Sequence, residues 1–214
     1  MMLLVGYKGT IFFYNVVTFV RFCFVLHSTF RIFAAIMKIC IFCSANSNID
    51  RDFFTMTREL GTRLAQEGHT IVFGGTDMGL MECIADAAKT AGGQVIGVVP
   101  TKVEENGHTS QHMDVHIPCD SLSDRKALMM AQSDLFIALP GGIGTLDEVF
   151  SVAASATIGY HQKRVVLYNM KSFWDSLIAC LNDLHAKGVM RKEWQSYISV
   201  ADTVDEVMGI VERG

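Results

Sequence analysis

The chain has 214 residues, half of them hydrophobic, and its 18 Lys and Arg against 22 Asp and Glu give a net charge of -4. This composition excludes an intrinsically disordered chain, which has few apolar residues and a high net charge. It also argues against a nucleic-acid binder that relies on a basic surface, so we expect no nucleic-acid partner. The length suits one domain of ordinary size with a substantial core.

The first 36 residues differ in composition from the rest. They hold seven of the 14 phenylalanines and three basic residues, Lys8, Arg21 and Arg31, but no acidic residue. Each of their apolar runs is about half the ~20 residues that a membrane-spanning helix needs, and Ala34-Ala35 is only a faint cleavage site for a signal peptide. We expect residues 1–36 to be a hydrophobic extension outside the folded domain. A membrane-associated helix and a targeting peptide are the alternatives, and we expect no other contact with a membrane.

From Met37 onwards, short apolar runs alternate with amphipathic stretches. The apolar runs predict strands at 38–43, 70–73, 95–99, 115–117, 134–139, 164–168 and 197–200. The amphipathic stretches predict helices at 51–67, 80–91, 121–131, 145–158, 172–187 and 203–211, and the polar stretch 100–114 predicts the longest loop. Strands that are apolar throughout and are each followed by a helix indicate a parallel sheet covered on both faces. We therefore predict an α/β fold, a Rossmann-like doubly wound parallel sheet, as a single domain over residues 37–214.

The six cysteines are scattered without the spacing of a disulfide framework or a zinc site. Cys40 and Cys43 match the pattern C-x-x-C, but they lie in a predicted strand, where residues three apart point to opposite faces. We therefore expect a reducing, cytoplasmic location and no metal-binding role for this pair.

The most informative loop is PGGIGTLDE at 140–148. It follows a predicted strand and opens a predicted helix, at the edge of the sheet where ligands bind in doubly wound folds. Glycines allow the backbone close to a ligand, and the start of a helix offers unpaired N–H groups to a phosphate. The loop lacks the Lys-Ser/Thr of a P-loop, and Asp147 stands where a dinucleotide fingerprint needs its third glycine. It predicts a phosphate site of another kind.

Two interpretations of Glu148 are open. Thr145 and Glu148 have the spacing of a capping box, which stabilises a helix by about 1 kcal/mol. Alternatively, Asp147 and Glu148 would repel a phosphate unless they had a compensating task. Stabilising an oxocarbenium-like transition state at a ribose carbon would be such a task.

Arg125 and Lys126 also have two interpretations. They stand in the first turn of a predicted helix, where the helix dipole disfavours cations by about 0.3–1 kcal/mol each. Asp120 and Asp124 could neutralise them, and Ser121 and Asp124 have capping-box spacing. Alternatively, both cations face an anionic or purine ligand above the sheet.

A second Gly-rich turn, GGTDMGLME at 74–82, is equally typical of a tight turn and of a loop that faces a phosphate. His108, His112 and His116 are spaced four apart, which on a helix would suit a metal. They fall in a polar loop that runs into a strand, so we expect no metal site.

Together these motifs resemble those of the Lonely Guy phosphoribohydrolases, whose members were long labelled lysine decarboxylases. The resemblance rests on PGGIGTLDE at 140–148, Arg125-Lys126, GGTDMGLM at 74–81 and GYHQK at 159–163, and it covers nearly all of residues 37–214. It implies homodimers of Rossmann-like subunits that hydrolyse the N-glycosidic bond of nucleoside 5′-monophosphates. The products would be the free base and ribose 5-phosphate, and we expect the reaction to need no metal or other cofactor.

The resemblance also assigns roles to individual residues. Arg125 and Glu148 match the family's catalytic Arg and Glu. The positions expected to bind substrate are Gly74, Gly75 and Gly79 in the second turn, Gly141, Gly142, Ile143, Gly144 and Thr145 in the phosphate loop, and Lys126 and Asp147.

This chain departs from the family around the base of the nucleotide. Leu122-Ser123-Asp124 replaces the usual Met-His-Glu, and Ala154-Ser155 replaces Thr-Trp. We therefore expect AMP to be the substrate, as the more cautious of two predictions. The other predicted substrate is a cytokinin riboside monophosphate. A non-catalytic nucleotide-binding sensor or carrier with the same phosphate loop is the alternative function. Lysine decarboxylation is a weaker alternative, because nothing marks a lysine for a pyridoxal phosphate Schiff base.

Overall fold

The computed structural model describes residues 2–7, 10–15 and 35–213, the first two ranges by their backbone. The chain divides into two units, Met1–Ala35 and Ile36–Gly214. In the first unit, β1 (Met2–Tyr7) pairs antiparallel with β2 (Thr10–Asn15). Residues 16–34, which carry much of the predicted hydrophobic extension, lie outside the described residues, so its three interpretations stay predictions. Every helix of the described ranges is too short or too polar to cross a membrane.

The second unit is built around a parallel sheet that has seven strands within residues 35–213. The strands are β3 (Lys38–Phe42), β4 (Thr70–Phe73), β5 (Gln94–Pro100), β6 (Val115–Cys119), β7 (Leu135–Ala138), β8 (Val165–Tyr168) and β9 (Ile198–Ala201). They lie in the order β6-β5-β4-β3-β7-β8-β9, and every neighbouring pair is parallel. The predicted Rossmann-like sheet is confirmed.

Seven α-helices follow or connect these strands in the described part of the unit. They are α1 (Arg51–Gln66), α2 (Gly79–Thr90), α3 (Thr101–Glu105), α4 (Leu122–Gln132), α5 (Ile143–Thr157), α6 (Asp175–Ala186) and α7 (Val204–Val211). Short 3-10 turns occupy Met170–Ser172 and Trp194–Ser196.

Three predicted boundaries were wrong for local reasons. The predicted loop at 100–114 contains α3, which begins directly after Pro100, an extended residue in the N-cap position. α5 begins at Ile143 instead of residue 145, because Gly142 serves as its N-cap and the following glycine joins the helix. α6 begins at Asp175 instead of residue 172, because Lys171 and Ser172 have left-handed φ angles of 52° and 61° that interrupt a helix.

The sheet separates two hydrophobic clusters. One contains Leu64 of α1 and Ile84 of α2, and the other contains Met129 of α4 and Val149 of α5. Cys43 belongs to the first cluster and Cys40 to the second. The two residues therefore face opposite sides of the sheet, as the strand pattern predicted.

The order of the strands reverses between β3 and β7. From β3 the chain moves to β4, β5 and β6 on one side, and it returns to β7 on the other. The loops after β3 and β7 meet beyond this point, where the amide of Ser44 donates to the carbonyl of Pro140 at 3.0 Å. A crevice at such a reversal is where ligands bind in open parallel sheets.

Candidate active site

The start of α5 forms one wall of this crevice. Gly142 is its N-cap, and no side chain within residues 35–213 caps the helix. The amides of the first turn have no partner inside a helix, so here they are open to a ligand. An ideal Cβ placed on Gly142 or Gly144 would meet nothing within 4 Å, and Ile143 between them is 83% exposed. The helix start therefore offers an uncovered anion site.

Gly141 has a different task in the same loop. A Cβ on Gly141 would lie 2.1 Å from Oγ1 and 2.7 Å from Cβ of Thr145. Thr145 itself is buried, with 3% of its surface exposed. The missing side chain of Gly141 thus lets the loop fold tightly over Thr145 and presents the open turn of α5.

Glu148 lies one turn further along α5, and it is buried with 4% of its surface exposed. Its Oε1 accepts a hydrogen bond from Nη2 of Arg125 on α4, and the two side chains form an ion pair. The capping-box interpretation is wrong, because Thr145 lies inside the helix and Gly142 takes the N-cap position. The carboxylate is instead directed at a cation on the neighbouring helix.

The electrostatics of Glu148 combine two opposed effects. Burial raises the pKa of its carboxyl group, while the positive charge and hydrogen bond of Arg125 lower it, and the net shift is upward. Burial, reinforced by the negative charge of Glu148, also raises the pKa of the Cys43 thiol well above its usual value. The thiol therefore stays protonated beside the site.

Lys126 and Asp147 form a second pair, each next in sequence to a member of the first. Nζ of Lys126 lies 2.7 and 2.8 Å from the two carboxylate oxygens of Asp147. In the described domain, neither Arg125 nor Lys126 pairs with Asp120 or Asp124, so neutralisation by those residues is wrong. Asp124 instead contributes to the capping of α4, since the hydroxyl of Ser121 accepts from its amide at 3.1 Å. The predicted capping spacing is confirmed.

The second Gly-rich turn is used by its neighbours in the fold. The amide of Gly79 donates to Oγ of Ser47 at 3.2 Å, and the amide of Leu80 donates to the carbonyl of Ser44 at 2.9 Å. The carbonyl of Gly75 accepts from the amide of Ser110 at 2.9 Å. These contacts are those of a tight turn, and substrate binding by Gly75 and Gly79 stays a prediction.

Gly74 is the glycine of this turn that the fold brings to Arg125. A Cβ on Gly74 would lie 3.2 Å from Nη2 of Arg125 and 3.3 Å from Sδ of Met81. Met81 has no polar signature in the sequence, and its position fits the apolar periodicity of α2, so its place beside Arg125 was not predicted.

The three histidines do not converge. His108 pairs with Asp77 at 3.2 Å, whereas His112 pairs with Glu82 and His116 with Glu104, both at 2.7 Å. In residues 35–213, no group of three or more metal-ligating side chains is suitably placed to hold an ion.

Sequence comparison finds a family model described as "Possible lysine decarboxylase", which matches residues 81–211. The matched segment includes both ion pairs and the start of α5. A rice relative (Oryza sativa subsp. japonica), the probable cytokinin riboside 5′-monophosphate phosphoribohydrolase LOGL9, is 38% identical over 71% of this chain and 66% of its own length. The chain thus spans slightly less than two thirds of that relative.

The cytokinin riboside 5′-monophosphate phosphoribohydrolase of Mycobacterium tuberculosis is 32% identical over 79% of this chain and 90% of its own length. Among solved structures, the Moco carrier protein of Chlamydomonas reinhardtii shares the fold with a TM-score of 0.64, at 24% identity over 83% of this chain and 96% of its own. The family match covers the motifs at 125–126 and 140–148. This chain belongs to the Lonely Guy family of phosphoribohydrolases.

Proposed function

We propose that this protein hydrolyses the N-glycosidic bond of nucleoside 5′-monophosphates, with AMP as the reference substrate, to the free base and ribose 5-phosphate. The observation that carries the proposal is the pair formed by the part-buried Arg125 and the buried Glu148 beside the uncapped start of α5. An anion site and a buried carboxylate at one crevice suit a substrate that has a phosphate at one end and a developing cation near the other.

The 5′-phosphate would bind at the first turn of α5. The amides of Ile143, Gly144 and Thr145 belong to that turn, and the helix start has the equivalent of about half a positive charge. The open space at Gly142 and Gly144 leaves room for the phosphate oxygens. Backbone amides of this kind bind phosphate without a metal or a lysine.

Glu148 would stabilise the ribose as the base departs. In the reaction the bond between C1′ and the base nitrogen breaks, the base keeps the electron pair, and positive charge develops on the ribose. A buried carboxylate interacts with such charge more strongly than one in water does. Water then adds to C1′, and Glu148 can accept the proton that this water releases, because burial raises the pKa of its carboxyl group. The departing base takes up one proton and Glu148 gives one up, so that adenine leaves as the neutral base and the carboxylate is restored.

Arg125 would act on the departing base. A guanidinium has five N–H donors in a fixed planar arrangement, and the bond to Glu148 occupies one side of it. The remaining donors can hydrogen-bond to the base as negative charge develops there, and so hold the leaving group next to the ribose.

The second pair answers the electrostatic objection to carboxylates beside a phosphate. Asp147 and Glu148 bring two negative charges, and Arg125 and Lys126 bring two positive ones. The cluster is therefore neutral as a whole. The phosphate meets the helix dipole and the Lys126 ammonium without net repulsion, and only the buried carboxylate faces the reacting carbon.

The test is whether the full chain releases adenine from AMP. Chromatography monitors the adenine, and ribose 5-phosphate is measured as the second product. Adenosine is the matched control substrate, because it has the same glycosidic bond and lacks the phosphate. We expect hydrolysis of AMP, with kcat/KM for adenosine at least about 100-fold lower, since remote binding energy is used in the transition state. No release from any of the common nucleoside monophosphates would overturn the proposal.

The base preference is measured in the same assay. The relatives are named for cytokinin riboside 5′-monophosphates. In this chain, α4 and α5 begin with two largely exposed apolar residues, Leu122 and Ile143. The ratio of kcat/KM for AMP and for a cytokinin riboside monophosphate decides between the two predicted substrates. A nucleotide-binding sensor or carrier would instead show thermal stabilisation by AMP without product, and a decarboxylase would release CO₂ from lysine.

A homodimer, which the family resemblance implies, is part of the proposal. Phe150 of α5 and Ile158, the residue that caps the end of this helix, have exposed apolar side chains. Together with Val189 they line an apolar groove of about 440 Å³. We assign this groove to a second copy of the chain. Light scattering should give twice the mass of the chain, and Phe150→Glu combined with Ile158→Glu should give a monomer. A monomeric wild type would contradict the assignment. The cytoplasmic location stays a prediction from the cysteine pattern.

A further inference from the structure

The Arg125 guanidinium lies against Gly74, a residue 51 positions earlier in the chain. Gly74 directly follows β4, at the same edge of the sheet as the loops after β3 and β7. An ideal Cβ on Gly74 would come within 3.2 Å of Nη2 and 3.3 Å of Cζ of Arg125. The guanidinium thus lies closer to position 74 than an ordinary contact with a Cβ would allow.

The backbone does not explain why position 74 is glycine. Gly75 and Gly79 have left-handed φ angles of 76° and 59°, whereas Gly74 is not among the residues with positive φ. A Cβ on Gly75 would also come within 2.4 Å of Cγ2 of Val99, and one on Gly79 within 2.5 Å of the carbonyl carbon of Ala45. Those two glycines are required by the fold. At Gly74, an alanine fits the backbone and is opposed by two side chains, Arg125 and Met81.

We propose that Gly74 is a positioning residue. Because it has no side chain, it leaves room at the end of β4 for the Arg125 guanidinium, and in this position the guanidinium pairs with Glu148. The catalytic meaning of this role rests on the proposed function. The proposal gives Gly74 a role through Arg125 instead of through direct contact with substrate.

The consequence for Glu148 follows from the charges. Arg125 is the group that lowers the pKa of this carboxyl against the effect of burial. A methyl group at position 74 would push the guanidinium aside by a few tenths of an ångström. Glu148 would then feel less of the positive charge, and its pKa would rise further.

The experiment compares Gly74→Ala with Gly209→Ala in the full chain. Gly209 lies in α7, its φ is not left-handed, and a Cβ there would approach only the flexible end of Arg213, at 3.4 Å. We expect Gly74→Ala to lower kcat for AMP about tenfold, because misplacement of a catalytic group by about 1 Å costs up to about 100-fold. KM should stay close to that of the wild type, since the phosphate site at α5 is unchanged. The acid limb of the kcat/KM profile should move to higher pH, and Gly209→Ala should change none of these values.

A crystal structure of the Gly74→Ala variant separates failure of this inference from failure of the proposed function. We expect it to show the Arg125 guanidinium displaced from Glu148 while the strands and helices keep their positions. An unmoved guanidinium, or a wild-type kcat and pH profile in an active enzyme, would overturn the positioning role. If the wild type does not hydrolyse AMP, the proposed function fails, and the position of the guanidinium in the variant still decides the inference.

Discussion

The Lys126 ammonium contacts both carboxylate oxygens of Asp147, at 2.7 and 2.8 Å, one residue along from the Arg125–Glu148 contact. Two successive residues of α4 thus pair with two successive residues of α5. The pairs differ in environment, since the side chain of Asp147 is 52% exposed and that of Glu148 only 5%. The same kind of contact is therefore expected to have different consequences at the two positions.

The outer pair leads to a prediction about substrate affinity. An exposed pair contributes about 0–1 kcal/mol to stability, so Lys126→Ala should unfold at nearly the wild-type urea concentration. A hydrogen bond to a charged group contributes about 1.5–3 kcal/mol, so loss of the ammonium should raise KM for AMP about tenfold or more with a smaller change in kcat. Lys187→Ala is the control, because Lys187 forms a comparable exposed pair with Asp183 outside the site. An unchanged KM would remove Lys126 from substrate binding.

The inner pair leads to a prediction about catalysis. Glu148→Gln keeps the shape of the side chain and an oxygen that can accept from Arg125, but it removes the negative charge. We expect kcat for AMP to fall by about 10²–10³-fold, the usual effect of removing one electrostatic stabiliser of a transition state. The unfolding free energy should fall less than in Arg125→Ala, because Arg125 keeps a hydrogen-bond acceptor and its side chain is 15% exposed. Steady-state kinetics and urea unfolding measure the two quantities. Retention of full activity would exclude Glu148 from the mechanism.

Removal of the other partner should make stability depend on pH. In Arg125→Ala the buried carboxylate has no cation, and breaking a buried pair costs up to about 3–5 kcal/mol. The folded-state pKa of Glu148, already raised by burial, should rise further. The folded protein then holds a proton that the unfolded chain has released, so stability falls as pH rises through this interval. We expect the variant to gain stability from pH 8 to pH 5 relative to wild type. The double variant with Glu148→Gln should lose this dependence, and a parallel pH profile of variant and wild type would contradict the prediction.

The fold was predictable because its signals are local. Each strand of a buried parallel sheet is apolar along its whole length, and the glycines and polar loops between elements mark the connections. The errors arose where a local signal was misleading. The glycines at 142 and 144 suggested a loop, but Gly142 caps α5 and Gly144 lies within its first turn.

The candidate site was less predictable, because its contacts are distant in sequence. Thr145 and Glu148 match a capping box by spacing alone, yet the partner of Glu148 lies 23 residues away on another helix. The contact of Gly74 with Arg125 spans 51 positions and depends on how α4 packs over the end of β4. The family resemblance identified these residues together, whereas spacing could not indicate which of them touch.

The phosphate loop leads to a prediction that contrasts two of its glycines. A Cβ on Gly144 enters open space, and one on Gly141 would clash with Thr145. Gly144→Ala should therefore retain or slightly increase the melting temperature, since alanine is favoured over glycine in a helix by about 1 kcal/mol, but it should weaken binding of ribose 5-phosphate. Gly141→Ala should lower stability by about 1–3 kcal/mol. Calorimetric titration and thermal melting measure these effects, and equal ligand binding by Gly144→Ala and wild type would argue against phosphate binding at this turn.

Acid sensitivity of the fold is expected to depend on His69, which is buried at the junction between α1 and β4. Its Nδ1 accepts a hydrogen bond from the amide of Met37 at 3.2 Å, so this nitrogen carries no proton. Burial lowers its pKa below the ordinary value, and the nearby Glu67 opposes this only in part. Below a pH of about 6.5 the unfolded chain takes up a proton that the folded chain does not. The free energy of unfolding therefore decreases as the pH is lowered, by at most about 1.4 kcal/mol per pH unit for one group. His69→Gln can keep an acceptor for the Met37 amide and cannot titrate, so its unfolding free energy should fall less between pH 7.5 and 5.5.

His161, whose pKa burial also lowers, contributes with the same sign, and the His161→Gln variant separates its share. If His69→Gln and wild type lose the same stability over this interval, His69 is not the group that titrates.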